Sequence, residues 1–240
     1  MFLDTAALRS SVVSHAKLLN YTPKSATAPT ATVNLVVSGL TSASLSIPKF
    51  TRFSSEAIDG VNYKFITKDI VTKSVSGGTA TFTGLEIIQG EPISLTYTYS
   101  NSSNPKALFV LPDSNIDTST LIVQIQKSSI DTTVSSYKLG TNLAALDENS
   151  EVFFLQEGLN GNYEIYFGDG VLGKSLITGN VVNFEYVSGN ASLANGAKQF
   201  TLMYDIGEYD SVVIDTTIPA TGGKEKESIQ QIKYNAPKAY

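Results

Sequence analysis

The stretch Ile93-Ser94-Leu95-Thr96-Tyr97-Thr98-Tyr99 alternates large apolar or aromatic side chains with small hydroxyl side chains. Successive side chains of a β-strand point to opposite faces of the sheet, so this period of two predicts a strand with one buried face. The same period recurs on either side, at 32–37 and at 180–186. The sequence therefore predicts a mainly β fold of the α+β class.

Turn residues separate the alternating stretches and divide them into two groups. Gly39 and Gly77-Gly78 follow such stretches directly, and glycine is the residue that turns require most often. The polar segment 100–105 predicts a longer loop. We expect two consecutive antiparallel β domains, at 24–108 and 109–220. Further strands are predicted at 42–47, 63–67, 70–75, 79–82, 109–111, 121–125, 151–155, 163–167 and 211–214.

An N-terminal helix is predicted within residues 1–23, with Asp4 as its N-cap. Four apolar residues recur at the spacing of one helix face. These residues are Leu8, Val12, Ala16 and Leu19. Pro23 ends the helix, because the residue before a proline avoids the α conformation. A helix this short is marginal in water, so the apolar face is predicted to pack on its own β domain or on another copy.

The character of the sequence changes again after Pro219, and residues 221–240 predict the start of a helical module. Gly222-Gly223 precedes a polar segment, in which Glu225 and Glu227 are expected to be solvated. Ile229 and Ile232 follow at the spacing of one helix face. Little chain remains to cover these two isoleucines, so we expect a truncated module and a longer parent protein.

Composition argues against several classes of partner and chemistry. The net charge of −5 and the pI near 4.9 argue against binding to nucleic acid phosphates. The chain has no cysteine, which excludes disulfides, thiolate metal sites and a cysteine nucleophile. No apolar run approaches the roughly 20 residues that span a bilayer, so membrane insertion is not expected. The charged fraction of only 16% suits extensive contact with protein partners.

Residues 168–175, Gly-Asp-Gly-Val-Leu-Gly-Lys-Ser, match the phosphate-binding pattern G-x-x-x-x-G-K-[ST]. A P-loop needs a helix directly after its Lys-Ser pair, because the helix N-terminus holds the phosphates. Gly179 and the alternating stretch at 180–186 contradict such a helix. Asp169-Gly170 is instead a strong turn signal. The sequence predicts a β-hairpin loop that binds no nucleotide.

Other candidate sites are equally incomplete. Asp113, Asn115 and Asp117 have the first spacings of a calcium loop, but Thr118 and Gln124 replace its required Gly and Glu. Side chains bonded to the local backbone are the expected structure there.

The single histidine, His15, lies in the predicted helix and has no nucleophile motif to serve. The sequence contains no recognisable catalytic, cofactor-binding or metal-binding residues. We therefore expect a protein that is not an enzyme, needs no cofactor and has no small-molecule substrate.

Three stretches, in order along the chain, together resemble the baseplate J-like family, in particular the large baseplate wedge subunit of T-even-like contractile-tailed phages. Residues 7–26 resemble its first helix and the junction that follows, and 222–228 its transition to a helical module, although Lys224 and Lys226 depart from it. Residues 166–173 are similar to its FGDG-x-x-G hairpin. The structural residues of that hairpin are Phe167, Gly168, Asp169, Gly170 and Gly173.

This resemblance implies a structural role without catalytic residues. Two copies of the subunit would clamp together within each wedge, and the wedges would join into a ring around the tail tube. The implied partners are a second copy, other baseplate wedge proteins and the sheath-initiating protein. The implied location is the tail baseplate of the virion, after synthesis and assembly in the host cytoplasm.

An alternative function is a carbohydrate- or receptor-binding β module of a tail fibre or adhesin. Loops rich in Ser, Thr and Asn, together with twelve tyrosines, are compatible with this alternative. Glycan binding would favour it, whereas a helical continuation after residue 240 would count against it.

Overall fold

The computed structural model describes residues 3–158 and 160–239. The helices are α1 (Arg9–Leu18) and α2 (Ile229–Asn235). The strands are β1 (Thr30–Ser38), β2 (Ser44–Ile47), β3 (Arg52–Ile58), β4 (Val61–Thr67), β5 (Val71–Ser74), β6 (Thr79–Gln89), β7 (Glu91–Thr98), β8 (Leu108–Val110), β9 (Ile116–Gln126), β10 (Val134–Leu139), β11 (Val152–Glu157), β12 (Tyr163–Phe167), β13 (Val181–Ser188), β14 (Phe200–Leu202) and β15 (Ser211–Thr221). The predicted mainly β fold with a helix near each end is confirmed.

The chain divides into two compact units that are each assembled from separate segments. Unit 1 comprises Met1–Ser25, Ile93–Tyr186 and Lys226–Tyr240, whereas unit 2 comprises Ala26–Pro92 and Val187–Glu225. These units differ from the consecutive domains expected at 24–108 and 109–220. The reason is pairing between strands that are distant in sequence. β1 pairs with β15, so residues near position 215 belong to the same unit as residues near position 35.

Unit 2 contains a six-stranded sheet in the order β14-β3-β4-β6-β1-β15, and its paired strands are antiparallel. β1 alternates between half-buried and buried residues along its whole length, as the period of two predicted. Val33, Leu35 and Val37 are fully buried on the core face. β2 and β5 form a separate two-stranded sheet, so β2 does not pair with β1 across the Gly39 turn.

A seven-stranded sheet in the order β7-β13-β9-β10-β11-β12-β8 belongs to unit 1, apart from residues 91–92 and 187–188. β10 and β11 run parallel, while β9–β10, β11–β12 and β12–β8 are antiparallel. Its core is rich in aromatic residues. The Phe109 ring lies 5.5–5.8 Å from the rings of Tyr97, Phe167 and Phe184, distances that favour edge-to-face contacts.

A small apolar core joins α1 and α2 within unit 1. Its buried members are Ala6, Val12, Val13, Ala16, Ile232 and Ala236. Ile232 is 0% exposed and Ile229 packs at the edge of this core, so the expectation that both isoleucines lack cover is wrong. The sequence pattern did not show that the two terminal segments lie side by side.

The N-terminal helix starts later than predicted. α1 begins at Arg9 with Leu8 as its N-cap, and Asp4 lies in a preceding 3-10 turn. Of the predicted apolar face, Val12 and Ala16 are buried and Leu19 packs at the edge of the small core, whereas Leu8 is 69% exposed. Neither described helix is long and apolar enough to cross a membrane.

Candidate functional site

The carboxylate of Glu157 is the centre of a buried ion cluster in unit 1. Glu157 ends β11, and its side chain is 0% exposed. Arg9 donates from Nε at 2.7 Å and from Nη2 at 2.9 Å, so it grips both carboxylate oxygens. The Lys226 ammonium lies 3.2 Å from the same carboxylate. Such pairing is required, because an unpaired buried charge costs several kcal/mol.

Besides Glu157, two further groups of the same unit contact Lys226. Its ammonium donates a hydrogen bond to the carbonyl of Gly161 and lies 5.2 Å from the centre of the Tyr163 ring. The Tyr163 hydroxyl donates to the carbonyl of Pro23 at 3.1 Å. Burial, together with the nearby Glu157 carboxylate, raises the pKa of Tyr163, so this hydroxyl keeps its proton at neutral pH.

A second buried carboxylate, Glu227, lies next to the first and is 6% exposed. It accepts hydrogen bonds from the Tyr21 hydroxyl at 2.7 Å, from Asn235 Nδ2 at 2.7 Å and from the backbone N–H of Lys24 at 2.9 Å. Burial and the bond to Glu227 raise the pKa of Tyr21 to about 12. The expectation that Glu227 is solvated is therefore wrong, because two of these donors, Tyr21 and Lys24, lie 206 and 203 residues away in sequence.

We call Arg9, Glu157, Tyr163, Lys226 and Glu227 the Glu157 cluster. It fastens α1, β11 and the residues that precede α2 to one another. Ser228 then starts α2 with a capping box, in which its side chain and that of Gln231 bond to each other's backbone N–H. Donors from this chain bind both the Glu157 and the Glu227 carboxylates. The cluster therefore connects the N-terminal segment, β11 and the segment before α2.

Residues 168–175, the FGDG loop, connect β12 to β13. The prediction of a loop between strands is confirmed. These two strands do not form a hairpin, however, since β12 lies between β11 and β8, and β13 lies between β7 and β9. The Asp-Gly signal marks only a local turn: Asp169 Oδ1 accepts the backbone N–H groups of Val171 at 2.9 Å and Leu172 at 3.0 Å.

The FGDG loop requires glycine at position 168, because the backbone there lies very close to the backbone of Gly173. A Cβ atom on Gly168 would lie 2.2 Å from the carbonyl carbon of Gly173. Gly173 has a φ of +88°, and its carbonyl accepts the N–H of Gly170 at 3.0 Å. Hydrogen bonds from the backbone of Leu172 and Val171 lower the pKa of Asp169. The structural residues predicted here therefore shape one compact turn.

The lysine of the P-loop-like pattern is already paired. Lys174 Nζ lies 2.8 Å from Glu151 Oε1, and this hydrogen bond lowers the pKa of Glu151. The next regular element after Ser175 is β13, which begins at Val181. The loop therefore lacks the helix N-terminus that a phosphate site uses. The absence of nucleotide binding stays a prediction.

The segment 113–117 is capped locally, as expected. Asp113 Oδ1 accepts the N–H of Asn115 at 2.8 Å, and Asp117 Oδ1 accepts that of Ser119 at 2.9 Å. Across residues 3–158 and 160–239, no group of His, Cys, Asp and Glu is arranged to hold a metal ion. His15 lies half-buried on α1.

The site residues predicted from sequence occupy two places in unit 1. The FGDG residues form one turn, whereas Val12 and Ala16 lie in the small helical core beside α2. Sequence reasoning did not find Arg9, Glu157 or Lys226, because ion pairs between distant segments leave no local pattern.

Two comparisons with known proteins bear on the function. Residues 93–199 match the family described as "Bacteriophage baseplate wedge protein gp6, third domain". That match begins at the residue where the central segment of unit 1 begins.

The chain is also similar to "Baseplate wedge protein gp6" of Enterobacteria phage T4. The identity is 26% over 258 aligned positions, which cover 97% of this chain and 38% of that protein. The chain thus spans about 38% of the length of the curated relative it matches. Both comparisons support a relationship of this chain to the phage baseplate wedge proteins.

Proposed function

We propose that this chain is a structural subunit of a contractile phage tail baseplate wedge. The observation that carries the proposal is the similarity to the T4 wedge protein over 97% of the chain. The order of the three family-like stretches, at 7–26, 166–173 and 222–228, agrees with it. The first and third stretches contact each other in the Glu157 cluster, where Arg9 and Lys226 both pair with Glu157.

The proposed role is assembly and not catalysis. The subunit contacts a second copy, other wedge proteins and the sheath-initiating protein, and the wedges form a ring around the tail tube in the virion. Assembly takes place in the host cytoplasm. Within the baseplate wedge proteins, the chain belongs to the baseplate J-like family. The paired carboxylates of the Glu157 cluster support this role, because their donors Arg9, Tyr21 and Lys226 come from both terminal segments of unit 1 and connect these segments.

Co-expression of the chain with the other tail proteins of its genome tests the proposal. We expect a wedge-like complex that contains two copies of the chain, measured by light scattering and electron microscopy. Glu157→Ala should reduce its recovery, because it removes the carboxylate that pairs with Arg9 and Lys226. Glu151→Ala, at an exposed ion pair, is the matched control and should not. Recovery of the chain without any tail protein would contradict the proposal.

A further inference from the structure

The last strand of the six-stranded sheet, β15, has an open edge within unit 2. It pairs with β1 on one side and ends the sheet on the other. Over the described residues, another segment bonds this outer edge only at Ala220, whose N–H donates to Ala197 and whose carbonyl accepts from Gly196. An edge strand points alternate N–H and C=O groups away from its sheet. The backbone of residues 211–219 therefore presents a row of donors and acceptors that an extended segment matches along its length.

The core face of β15 is incompletely covered. Val212 lies opposite Val37 of β1, which is 0% exposed. Ile214 lies opposite Leu35, which is also 0% exposed. Val212 and Ile214 pack against the same core but are only half-buried, because β1 has a neighbouring strand on both sides and β15 on one. On the opposite face, Val213 is 59% exposed. An added strand with apolar side chains at alternate positions would extend this core.

The charge beside this edge favours a cationic partner. The sequence from 199 to 223 contains four carboxylates and no lysine or arginine. These carboxylates belong to Asp205, Glu208, Asp210 and Asp215, of which the last lies in β15 itself. All four residues are exposed, and in the described part of the chain none of them forms an ion pair. A second copy would bring the same carboxylates to the contact, whereas lysine or arginine would complement them.

We propose that the open edge of β15 receives an extended, cationic segment of a partner protein as an additional strand. This inference rests on the proposed function, in which other tail proteins contact the chain, and it names the chemistry of one such contact. The segment carries apolar side chains towards the core and lysine or arginine on the face where Asp215 lies. Main-chain hydrogen bonds contribute the affinity of such a strand, and its alternate side chains determine the selectivity.

Binding of three peptides of about eight residues, the length of an ordinary strand, tests this strand addition. The first peptide alternates lysine with valine, and the second alternates glutamate with valine. The third is the first with two valines replaced by proline, which keeps the charge but removes strand hydrogen bonds. We expect only the first to bind, as measured by fluorescence anisotropy. It should also slow amide exchange at the outward-pointing N–H groups of residues 211–219 more than about ten-fold, as measured by NMR.

Two charge-reversal variants test the contribution of Asp215. Asp215→Lys should weaken binding of the lysine–valine peptide at least about five-fold, because like charges then face each other across the strands. Asp69→Lys is the matched control, since Asp69 is equally exposed and follows β4, three strands away from β15 in the sheet. The affinity of this control should stay within about two-fold of the original, because solvent and salt screen a charge at that distance.

Equal binding of the lysine and glutamate peptides, or equal losses in the two variants, would overturn the cationic selectivity. Equal binding of the proline peptide would overturn the strand addition. Absence of binding by all three peptides would also overturn the inference, because the carboxylates would then only protect the edge from pairing. A dimer of the isolated chain that protects the same amides would assign the edge to a second copy instead.

Co-expression with the other tail proteins separates this inference from the proposed function. A wedge complex in which the outward amides of β15 exchange as fast as in the isolated chain, measured by mass spectrometry, refutes the strand addition and leaves the proposed function standing. Peptide binding at β15 without any recovered wedge complex supports the strand addition and counts against the proposed function.

Discussion

The Glu157 cluster and the FGDG loop are two ways of satisfying a carboxylate in the same unit. Glu157 is fully buried, and its partner Arg9 is 148 residues away in sequence. Asp169 is exposed and bonds the backbone only two and three residues further on. The local arrangement can be predicted from a dipeptide, whereas the distant one cannot. Removing one partner of the distant arrangement should also cost more stability, because the remaining charges would lose their counter-charge away from water.

Glu157→Gln should have the largest effect on the free energy of unfolding. The substitution leaves the partly buried Arg9 and Lys226 without a counter-charge, and breaking a buried ion pair costs up to about 3–5 kcal/mol. Urea denaturation followed by circular dichroism measures the change.

Glu151→Gln is the matched control, because the Glu151–Lys174 pair is 36–47% exposed. Exposed ion pairs contribute at most about 1 kcal/mol. Similar losses for the two variants would refute the distinction between the buried cluster and the exposed pair.

Gly168→Ala should have the next largest effect and tests the packing of the FGDG loop. The new Cβ would lie 2.2 Å from the Gly173 backbone, which must move. We expect a loss of about 1–3 kcal/mol in thermal denaturation, the usual cost of overpacking.

Gly140→Ala places the same atom 2.7 Å from a Phe154 ring carbon. That half-buried ring can rotate away, so the loss should stay below about 1 kcal/mol. Neither Gly140 nor Gly168 has a positive φ, so the pair isolates the effect of the neighbouring atoms. Equal losses would show that the close backbone approach at Gly168 is not the constraint.

Replacing tyrosine with phenylalanine at two buried positions should give effects of different sign. Tyr163→Phe removes the hydrogen bond to the Pro23 carbonyl and should cost about 1 kcal/mol. Among the described side chains, the Tyr186 hydroxyl is buried without a hydrogen-bond partner. Tyr186→Phe should therefore leave stability unchanged or raise it by up to about 1 kcal/mol. A loss at Tyr186 as large as that at Tyr163 would contradict this difference.

The same contrast explains which strands the sequence could predict. β1, β7 and β13 alternate clearly, because each has one face in a core. β10 was not predicted, since Tyr137 is its one buried residue and the rest of Val134–Leu139 shows no period of two. β3 and β14 were not predicted either. β3 has a similarly polar sequence, and β14 has only three residues.

Pairing partners were less predictable than strands. A glycine turn shows where the chain reverses but not which strands become neighbours in the sheet. The turns therefore did not reveal that β2 pairs with β5, or that β12 pairs with β11 and β8. For the same reason Glu227 was expected in water. Its donors Tyr21 and Lys24 become neighbours only after both terminal segments have packed in unit 1.

The smallest predicted effect is the acid response of the FGDG loop. Backbone hydrogen bonds from Leu172 and Val171 lower the pKa of Asp169, so its carboxylate stabilises the loop above the unfolded pKa of about 3.9. This contribution is lost as the pH falls through the lowered folded pKa. Amide exchange at Val171 and Leu172, measured by NMR, should therefore accelerate beyond its intrinsic pH dependence only below about pH 4. Asp169→Asn keeps an acceptor oxygen but cannot titrate, so this acceleration should vanish. An Asp169 midpoint at or above the ordinary value would contradict the capping.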